Sequence, residues 1–478
     1  MNDTGGLEAL ALRLHSRYRP QVEADRYIDS LNLSPDTDCF ILIEPGLGYL
    51  IHSLQKHRPD AKIVALHADG RFRQAQLNGV PSWYPDSGTL VQEFLENEIL
   101  DTSSPRIIEW RPSLNVFGEP CLALARESAE FIKRTDAGRR TTAAFGKRWV
   151  KNFFRNVSVI NNVLLYRQTN MPFVVTGSGP ALEKTMPLLL SARKNFFLLA
   201  ASSSCLALQA GGIRADMVIG TDGGGWALPH LHSIFRINDT PAVAHSLSAA
   251  VPSQCSHLSL LPLNDGSFWQ CVALNALSIP SQFIPQRGTV TASAVDLALT
   301  LTGGPVYLAG MDLAVDDIKS HARPGAFEHW LYDAASRLRP VYSQYFKRSR
   351  DIAAGGSLDI YAAWFKSRLG SWPKRVFTLG NNHEVLEKGL PKKERIAAGG
   401  SVNRNFFQAS TVKTPCSQRP ERAFQAIAAA LNDSRHSDTL LQELAPLLLP
   451  AEKNPSVCEI ERALGDITSN YRKECGGG

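Results

Sequence analysis

Apolar and polar positions follow one another along the first part of the chain in the order expected of a βαβ unit. Apolar residues recur with a helical period over residues 7–31, which predicts one amphipathic helix there. Residues 39–43 form a continuous apolar run that ends in a Pro-Gly turn. A second apolar run follows at residues 62–66, after a further helical segment. Short apolar runs bounded by turn residues are typical of buried strands. We therefore predict a Rossmann-like N-terminal domain over residues 1–120.

The same alternation resumes after a charged, helix-favouring segment, which we interpret as a helical linker over residues 121–170. Three apolar runs, at residues 172–176, 217–220 and 306–309, end in glycine and polar residues. Open α/β sheets bind their ligands at the carboxyl ends of their strands. The pattern therefore predicts a central, doubly wound, nucleotide-binding α/β domain over residues 171–345.

Residues 346–478 change to helical periodicity, with a single predicted strand at residues 375–379. Apolar residues recur on one face of three further segments, at residues 421–431, 437–449 and 457–471. We predict a mostly helical C-terminal region that serves as a scaffold or as a partner-binding appendage.

Composition and charge narrow the class of protein. The chain has 478 residues, of which 44% are hydrophobic, which is enough for more than one core. Charged residues interrupt the amino-terminal segment and every long apolar run, which argues against a signal peptide and a transmembrane segment. The eight cysteines are scattered, as expected of free thiols in a reducing compartment. The net charge of +6 is spread along the chain, without the pattern of a nucleic-acid platform. We expect a cytoplasmic protein.

The first candidate for ligand binding is the 177–180 turn, Gly177-Ser178-Gly179-Pro180, between a predicted strand and a predicted helix. A glycine-rich turn of this kind exposes backbone N–H groups beside a helix N-terminus, which suits a phosphate. Its two glycines let a ligand approach closely, and proline fits the first position of a helix. The alternative is a plain tight turn. A second pair, Gly46 and Gly48, lacks the third glycine of a dinucleotide fingerprint, and we interpret it as a structural turn.

Two aspartates that follow predicted strands are candidates for contact with a ligand. Asp222 precedes three glycines, and Asp312 follows the apolar run at residues 306–309. Each carboxylate could accept a hydrogen bond from a ribose or sugar hydroxyl, or could simply cap a turn. No Asp-x-Asp pair stands here to hold Mg²⁺ on a nucleoside diphosphate, although Asp316-Asp317 could substitute for one. We expect a metal-free mechanism.

His321 is the candidate general base. It lies in the polar segment from Lys319 to Gly325, the 319–325 loop, which we interpret as a mobile lid. An imidazole can take a proton from an attacking hydroxyl near neutral pH, while Lys319 or Arg323 could balance the charge of a leaving phosphate. The alternative is a solvated loop histidine. His245, at the end of an apolar run, is a second candidate.

Several motifs occur in a characteristic order along the chain. They are residues 142–149 with Asn152 and Asn156, the 177–180 turn with its neighbours, residues 212–216, Thr221-Asp222, residues 288–294, residues 309–314 and Ser320-His321-Ala322. In this order they resemble the superfamily of motility accessory factor (Maf) proteins and archaeal pterin diphosphokinases. The glycine turn at Gly46 also resembles one in the amino-terminal domain of Maf proteins.

The resemblance implies a fold and a function. Maf proteins resemble bacterial sialyltransferases in their central fold, and they are associated with attaching nonulosonic acids, such as pseudaminic or legionaminic acid, to Ser or Thr of flagellin. The implied donor is a CMP-sugar, the implied acceptor is flagellin, and the implied role is in flagellar assembly and motility. A CMP leaving group can depart without a metal pair, so no metal or other cofactor is expected.

The resemblance also suggests roles for particular residues. It makes His321 the catalytic base, with Asp312 near the cleft as a positioning group rather than the proton acceptor. Donor binding falls to the following residues: Gly177, Ser178, Gly179, Pro180, Asp222, Gly288 and Thr289.

The sequence departs from the family pattern at two places. Ala181 stands where many relatives have serine, and Ser320-His321-Ala322-Arg323 lacks the His-Gly-Asp-Asn continuation of the pterin kinase branch. The second departure counts against a kinase, but two functions besides the transferase remain open. One alternative is a pterin diphosphokinase, which needs ATP and Mg²⁺. Another is a non-catalytic flagellin-binding chaperone or export adaptor. Binding of CMP, of ATP with Mg²⁺, or of neither nucleotide distinguishes the three functions.

Overall fold

The computed structural model divides into two compact units, Met1–Thr142 and Ala143–Gly478. It describes the whole chain except the following residues: 1–3, 75–76, 78, 100–102, 236–241, 253–257, 286, 397–403, 405, 453 and 476–478. Both units contain a largely parallel sheet with helices, which confirms the predicted α/β fold class. The boundaries of the predicted domains stay predictions.

The first unit is built on a four-stranded parallel sheet. Its strands are β1 (Cys39–Ile43), β2 (Lys62–Leu66), β3 (Ser82–Trp83) and β4 (Pro105–Glu109). Its helices are α1 (Thr4–Leu14), α2 (Pro20–Ser30), α3 (Tyr49–His57), α4 (Val91–Glu98), α5 (Arg111–Phe117) and α6 (Glu119–Val159), the last of which includes residues of both units. The strand order is β3-β2-β1-β4. The strands predicted at residues 39–43 and 62–66 are confirmed, because each apolar run is buried inside this sheet.

The single helix predicted over residues 7–31 is wrong, because the structure has two separate helices there. Pro20 is the first residue of α2, and Arg19 before it has φ −142° and ψ 61°. A residue before proline is pushed out of the helical region by a clash with the proline ring, and proline itself favours the first position of a helix. The break therefore follows from a local property of the chain at Pro20.

The second unit is built on an eleven-stranded sheet. Its strands are β5 (Asn162–Tyr166), β6 (Phe173–Thr176), β7 (Phe197–Ala201), β8 (Met217–Gly220), β9 (Ala242–Ser246), β10 (Ser259–Asn264), β11 (Gln282–Phe283), β12 (Val306–Ala309), β13 (Val376–Leu379), β14 (Lys392–Lys393) and β15 (Phe407–Thr411). Its helices are α7 (Leu182–Ser191), α8 (Cys205–Ala210), α9 (Leu228–Phe235), α10 (Phe268–Leu277), α11 (Val290–Leu301), α12 (Glu328–Asp333), α13 (Val341–Ala354), α14 (Ser357–Arg368), α15 (Glu384–Gly389), α16 (Arg419–Leu431), α17 (Ser437–Leu448) and α18 (Val457–Cys475).

The strand order of this sheet creates a switch point between β6 and β12. The order is β14-β13-β12-β6-β7-β8-β9-β10-β5-β15, with β11 beside β10. From β6 the chain moves strand by strand to β10, and it then returns to the other side of β6 as β12. These strands are parallel, and β15 is antiparallel to β5. Chains that wind in two directions from one strand leave a crevice at the carboxyl ends there, where ligands bind. The predicted doubly wound sheet is confirmed.

Helices cover both faces of this sheet and form two hydrophobic cores. On one face, Val174 and Leu198 belong to a core with residues of α7, α10 and the three C-terminal helices, α16, α17 and α18. On the other face, Val175 and Leu199 belong to a core with residues of α11 and α14. Successive residues of a strand point to opposite faces, which accounts for this division. The C-terminal helices therefore help to form the core that supports the sheet.

The helix α6 is long, at 41 residues, but it is polar along much of its length. Within the described ranges, no helix combines the length and the apolar character that crossing a lipid bilayer requires.

Candidate functional site

The 177–180 turn connects β6 to α7 at the switch point. The Gly177 amide donates a hydrogen bond to the Ala309 carbonyl at 2.9 Å, and the Gly179 amide donates one to the Gly310 carbonyl at 2.9 Å. Both acceptors lie at the carboxyl end of β12. Two of the N–H groups that the sequence pattern assigns to a phosphate are thus taken by the neighbouring strand. A phosphate at this turn, which stays a prediction, would bind the amide and hydroxyl of Ser178.

The carboxylate of Asp312 lies over Gly179. One of its oxygens, Oδ2, accepts a hydrogen bond from the Ala181 amide at 2.9 Å. The other, Oδ1, is buried and makes no hydrogen bond within the described part of the chain. Burial raises the pKa of this carboxyl, and the hydrogen bond from Ala181 opposes the rise. A side chain at residue 179 would overlap Oδ1, so the glycine makes room for Asp312 rather than only for a ligand.

The 319–325 loop is fastened to this turn and to α7. The Ala322 amide donates a hydrogen bond to the Ser178 carbonyl at 2.8 Å. The carboxylate of Glu183 accepts from the Lys319 ammonium at 2.6 Å and from the Arg323 amide at 2.9 Å. Three hydrogen bonds therefore hold the loop beside the switch point. The sequence predicts a mobile lid for this loop.

His321 is half-buried in this loop, and its Nδ1 lies 3.1 Å from the Ser320 hydroxyl. Burial, followed by the positive charge of Arg348 and the proximity of His230, lowers the pKa of His321 to about 4. The imidazole is consequently neutral at pH 7. A neutral imidazole can accept a proton, although a low pKa makes it a weaker base than an ordinary histidine.

The two cations that the sequence analysis assigned to a leaving phosphate already have carboxylate partners. Lys319 pairs with Glu183, and the Arg323 guanidinium lies 3.3 Å from Glu328. Arg323 also stands over the ring of Tyr345, 4.2 Å from its centroid. Both side chains hold the loop in place, so their charges are largely neutralised before any ligand binds.

A cavity opens beside the loop. Its lining includes Ser203, His230, His321, Phe327, Tyr345 and Arg348. Burial lowers the pKa of His230 to about 4, while the negative charge of Asp222 opposes that change. The cavity therefore places two neutral imidazoles and one guanidinium close together, an arrangement that suits an anionic ligand. Sequence reasoning missed His230 and Arg348, because neither belongs to a recognisable motif.

Asp222 lies at the same edge of the sheet as the 177–180 turn, at the end of β8. One strand, β7, separates β8 from β6, so the two strand ends are about 10 Å apart across the sheet. The side chain of Asp222 is exposed, and its Oδ1 accepts a hydrogen bond from the Gly224 amide at 2.7 Å. The turn-capping role is therefore present, and a further contact with a sugar or ribose stays a prediction.

Two asparagines of α6 hold the loops after β8 and β9. They belong to the motif of residues 142–149 with Asn152 and Asn156. Asn152 donates hydrogen bonds to the carbonyls of Gly223 and Ser248, each at 3.0 Å. Asn156 donates to the carbonyls of Leu247 and Ala249, each at 2.9 Å. The two asparagines are four residues apart and so share one helix face. This part of the family motif thus fixes the backbone next to Asp222.

Gly288 and Thr289 lie directly before the first residue of α11. Gly288 has φ +71°, and Thr289 is the N-cap residue but makes no side-chain capping hydrogen bond. The helix α11 leads into the amino end of β12, so it runs back across the sheet and its first turn lies at the carboxyl edge. Both residues are therefore at the edge that carries the other candidates, and their contact with a donor stays a prediction.

His245, the second candidate base, is buried within β9. Its pKa is lowered to about 4 because burial disfavours the charged form. It pairs with Gly220 of β8 and Pro262 of β10, inside the sheet. With only 1% of its surface exposed, His245 cannot reach an acceptor hydroxyl.

Metal binding has little support from the described residues. Among them, no group of three or more His, Cys, Asp or Glu side chains is arranged to hold a metal ion. Asp316 and Asp317, which the sequence analysis considered, are both exposed, and Asp316 lies 3.9 Å from the Lys184 ammonium. Metal independence itself stays a prediction.

Residues 147–317 match the family model described as 6-hydroxymethylpterin diphosphokinase MptE-like. The matched range contains the 177–180 turn, Asp222 and Asp312, and it ends just before the 319–325 loop. This match confirms that the central segment resembles the superfamily of Maf and MptE-like proteins.

Two curated relatives, both uncharacterised proteins of Treponema pallidum (strain Nichols), are similar to this chain. One is 29% identical over 303 residues, which are 61% of this chain and 64% of the relative. The other is 25% identical over 361 residues, which are 69% of this chain and 61% of the relative. The chain thus spans less than two thirds of the length of either relative.

A solved structure, that of the Maf glycosyltransferase from Magnetospirillum magneticum AMB-1, aligns with 97% of this chain and 78% of its own, at 12% identity and a TM-score of 0.46. A likeness at that level carries no conclusion about activity.

Proposed function

We propose that this chain is a glycosyltransferase that transfers a nonulosonic acid from a CMP-sugar to a Ser or Thr hydroxyl of flagellin. The observation that carries the proposal is the hydrogen bond from the Ala322 amide to the Ser178 carbonyl. It puts the loop with a neutral histidine directly on the turn that the motifs assign to the donor. A base for the acceptor and a site for the donor then share one cleft, as group transfer between two substrates requires. The ordered motifs of the Maf branch support the same reading.

In this proposal His321 removes the proton from the acceptor hydroxyl as the hydroxyl oxygen attacks the anomeric carbon. The bond from that carbon to the phosphate oxygen breaks, and CMP leaves with the electron pair. Asp312 is not the proton acceptor in this proposal, because its Oδ2 accepts from the Ala181 amide and its Oδ1 is buried above Gly179. It positions the turn that meets the donor. The Ser178 amide and hydroxyl are the groups of the turn that remain for the leaving phosphate.

The description of the matching family model favours a second candidate, an ATP-dependent diphosphokinase that acts on a pterin. Such an enzyme transfers a diphosphate and needs Mg²⁺ to neutralise it. The cavity beside His321 would then hold the phosphates of ATP. We rank this candidate second because Ser320-His321-Ala322-Arg323 lacks the His-Gly-Asp-Asn continuation of the pterin kinase branch.

Calorimetry with the purified chain separates the candidates. We expect CMP to bind without a metal and ATP with Mg²⁺ not to bind. The reverse result would support the kinase, and binding of neither nucleotide would support a non-catalytic adaptor. Mass spectrometry of flagellin from cells with and without the gene tests the acceptor. A sugar mass that disappears on deletion, and that a His321→Ala protein fails to restore, would establish transfer by this chain.

A further inference from the structure

The guanidinium of Arg348 is a half-buried cation that has no carboxylate partner among the described residues. It lies on α13, and within the described part of the chain no Asp or Glu oxygen comes within ion-pair distance of it. The ring of Phe327 covers one side of the guanidinium, 4.4 Å from its central carbon. Burial lowers the pKa of Arg348, because the surroundings disfavour the charged form. A charge in such surroundings is costly unless a counter-charge accompanies it.

The neighbouring cations differ from Arg348 in this respect. Lys319 and Arg323 belong to the 319–325 loop beside the cavity, and both are paired with glutamates. The other titratable groups that line the cavity are His230, His321, Glu328 and Tyr345. Glu328 is the one carboxylate among these lining residues, and it is the partner of Arg323. Among the described residues that line the cavity, Arg348 is therefore the cation without a carboxylate ion pair, and the two histidines are neutral at pH 7.

Arg348 lines both the cavity and a neighbouring groove. Besides the cavity with His321, it lines an open groove of about 840 Å³ along α13. Arg339 and Lys347 line the same groove, and Asp351 is the carboxylate there. A ligand that extends from the groove into the cavity would pass the guanidinium. Arginine is suited to such a place, because its planar fork of N–H groups binds carboxylate and phosphate oxygens in pairs.

We propose that Arg348 binds an oxyanion of the substrate in the cavity beside His321. The oxyanion is either the phosphate of the nucleotide or the carboxylate of the sugar. The inference deepens the proposed function and rests on it for the identity of the substrate alone. Binding an anion there supplies the counter-charge that the described residues do not, and it brings the substrate to within reach of the proposed base.

The test compares Arg348→Ala and Arg348→Lys with Arg350→Ala, a control that removes an exposed arginine from the same helix. Calorimetry measures the binding of CMP, cytidine and N-acetylneuraminic acid to each protein. We expect Arg348→Ala to weaken one anionic probe by about 10- to 100-fold, the range of a hydrogen bond to a charged group. Cytidine binding should not change, Arg348→Lys should restore part of the affinity, and the control should bind like wild type. Loss for CMP identifies the phosphate, and loss for the sugar acid identifies the carboxylate.

The failure of this inference can be told apart from the failure of the proposed function. If the wild type binds ATP with Mg²⁺ but not CMP, the transferase is wrong, and the same variants are compared with ATP and adenosine. Arg348 is then supported if the variants lose affinity for ATP alone. Anionic probes that bind Arg348→Ala as tightly as wild type, or a wild type that binds none of them, overturn the inference. Circular dichroism shows whether Arg348→Ala is folded. If it is not, Arg348→Lys becomes the test, and the inference then requires that this variant bind the anionic probe more weakly than wild type does and the neutral probe equally well.

Discussion

The carboxylate of Asp312 occupies the space above Gly179, and it accepts a hydrogen bond from the Ala181 amide at 2.9 Å. The two partners of that hydrogen bond are 131 residues apart in the chain. The end of β12 and the start of α7 therefore determine each other's geometry. Asp312 therefore helps to hold the proposed donor turn in its shape, together with the hydrogen bonds from Gly177 and Gly179 to the end of β12.

The first prediction concerns Gly179. A methyl group there would overlap Asp312, so Gly179→Ala should displace the carboxylate and weaken both the fold and the binding of CMP. Overpacking of this kind typically costs about 1–3 kcal/mol of the free energy of unfolding. Denaturant unfolding and calorimetry measure the two effects. Gly370→Ala is the matched control, because a Cβ atom at residue 370 meets no other atom within 4 Å. Equal behaviour of the two variants would contradict the contact with Asp312.

The second prediction separates the hydrogen bond of Asp312 from its charge. Asn at residue 312 can still accept from the Ala181 amide, whereas Ala cannot. Asp312→Ala should therefore lower the free energy of unfolding by about 1–3 kcal/mol, the order of the cost of leaving a partly buried donor without its partner. Asp312→Asn should lower the free energy of unfolding by clearly less than Asp312→Ala does. If Asp312 positions the turn, turnover should follow the same order. A turnover as low in Asp312→Asn as in Asp312→Ala would instead indicate that the charge takes part in the reaction.

The third prediction tests His321 as the base. His321→Ala should reduce turnover by about 10²–10⁴, or roughly 3 to 5 kcal/mol in the barrier, while CMP affinity stays nearly unchanged. His52→Ala, which removes an exposed histidine from the other unit, should leave both quantities unchanged. A loss of both turnover and CMP affinity would mean that His321 contacts the donor or holds the loop.

The pH dependence of the wild type checks the same residue. The base works only when neutral, and burial lowers the pKa of His321 to about 4. The acid limb of kcat/KM should therefore fall near pH 4 and not near 6.5, so that activity is almost constant from pH 6 to pH 8. An acid limb near 6.5 would point to an ordinary, solvated histidine.

The fourth prediction concerns His245 and stability. Its pKa is about 4 when folded and about 6.5 when unfolded, so the unfolded chain binds the proton more readily between these values. The contribution of His245 to stability is thus fully present above pH 6.5 and is lost as the pH falls toward 4. At pH 5 the loss is about 2 kcal/mol. His245→Leu should reduce the drop in the thermal unfolding midpoint between pH 7 and pH 5. An unchanged drop would show that other groups cause it.

The fifth prediction is that turnover does not depend on a metal. It follows from the lack of an Asp-x-Asp pair at the candidate site and from the CMP leaving group that the resemblance implies. EDTA should leave the rate of sugar transfer unchanged, and added Mg²⁺ or Mn²⁺ should not raise it. A rate that EDTA abolishes and Mg²⁺ restores would favour the diphosphokinase.

Local sequence was sufficient for many individual elements. The strands at residues 217–220 and 306–309 have the bounds that their apolar runs predict, and β13 differs from its prediction by one residue. Burial on both faces makes such strands continuous apolar runs, which stand out from their surroundings. The strands β9 and β10 were not predicted. Their apolar residues are mixed with His245 and Pro262, whose polar or ring character hides the pattern.

The sequence by itself determined the α/β class, the edge of the sheet where polar residues collect, and the motifs that resemble a superfamily. These depend on neighbours along the chain, through periodicity, turn residues and strand ends. Only the tertiary structure decided that Asp312 fills the space above Gly179, that Glu183 neutralises Lys319, and that Arg348 has no carboxylate partner among the described residues. Each of these facts is a contact, or the lack of one, between groups brought together from distant parts of the chain. Strand order and helix packing set such distances, and no spacing within one segment contains them.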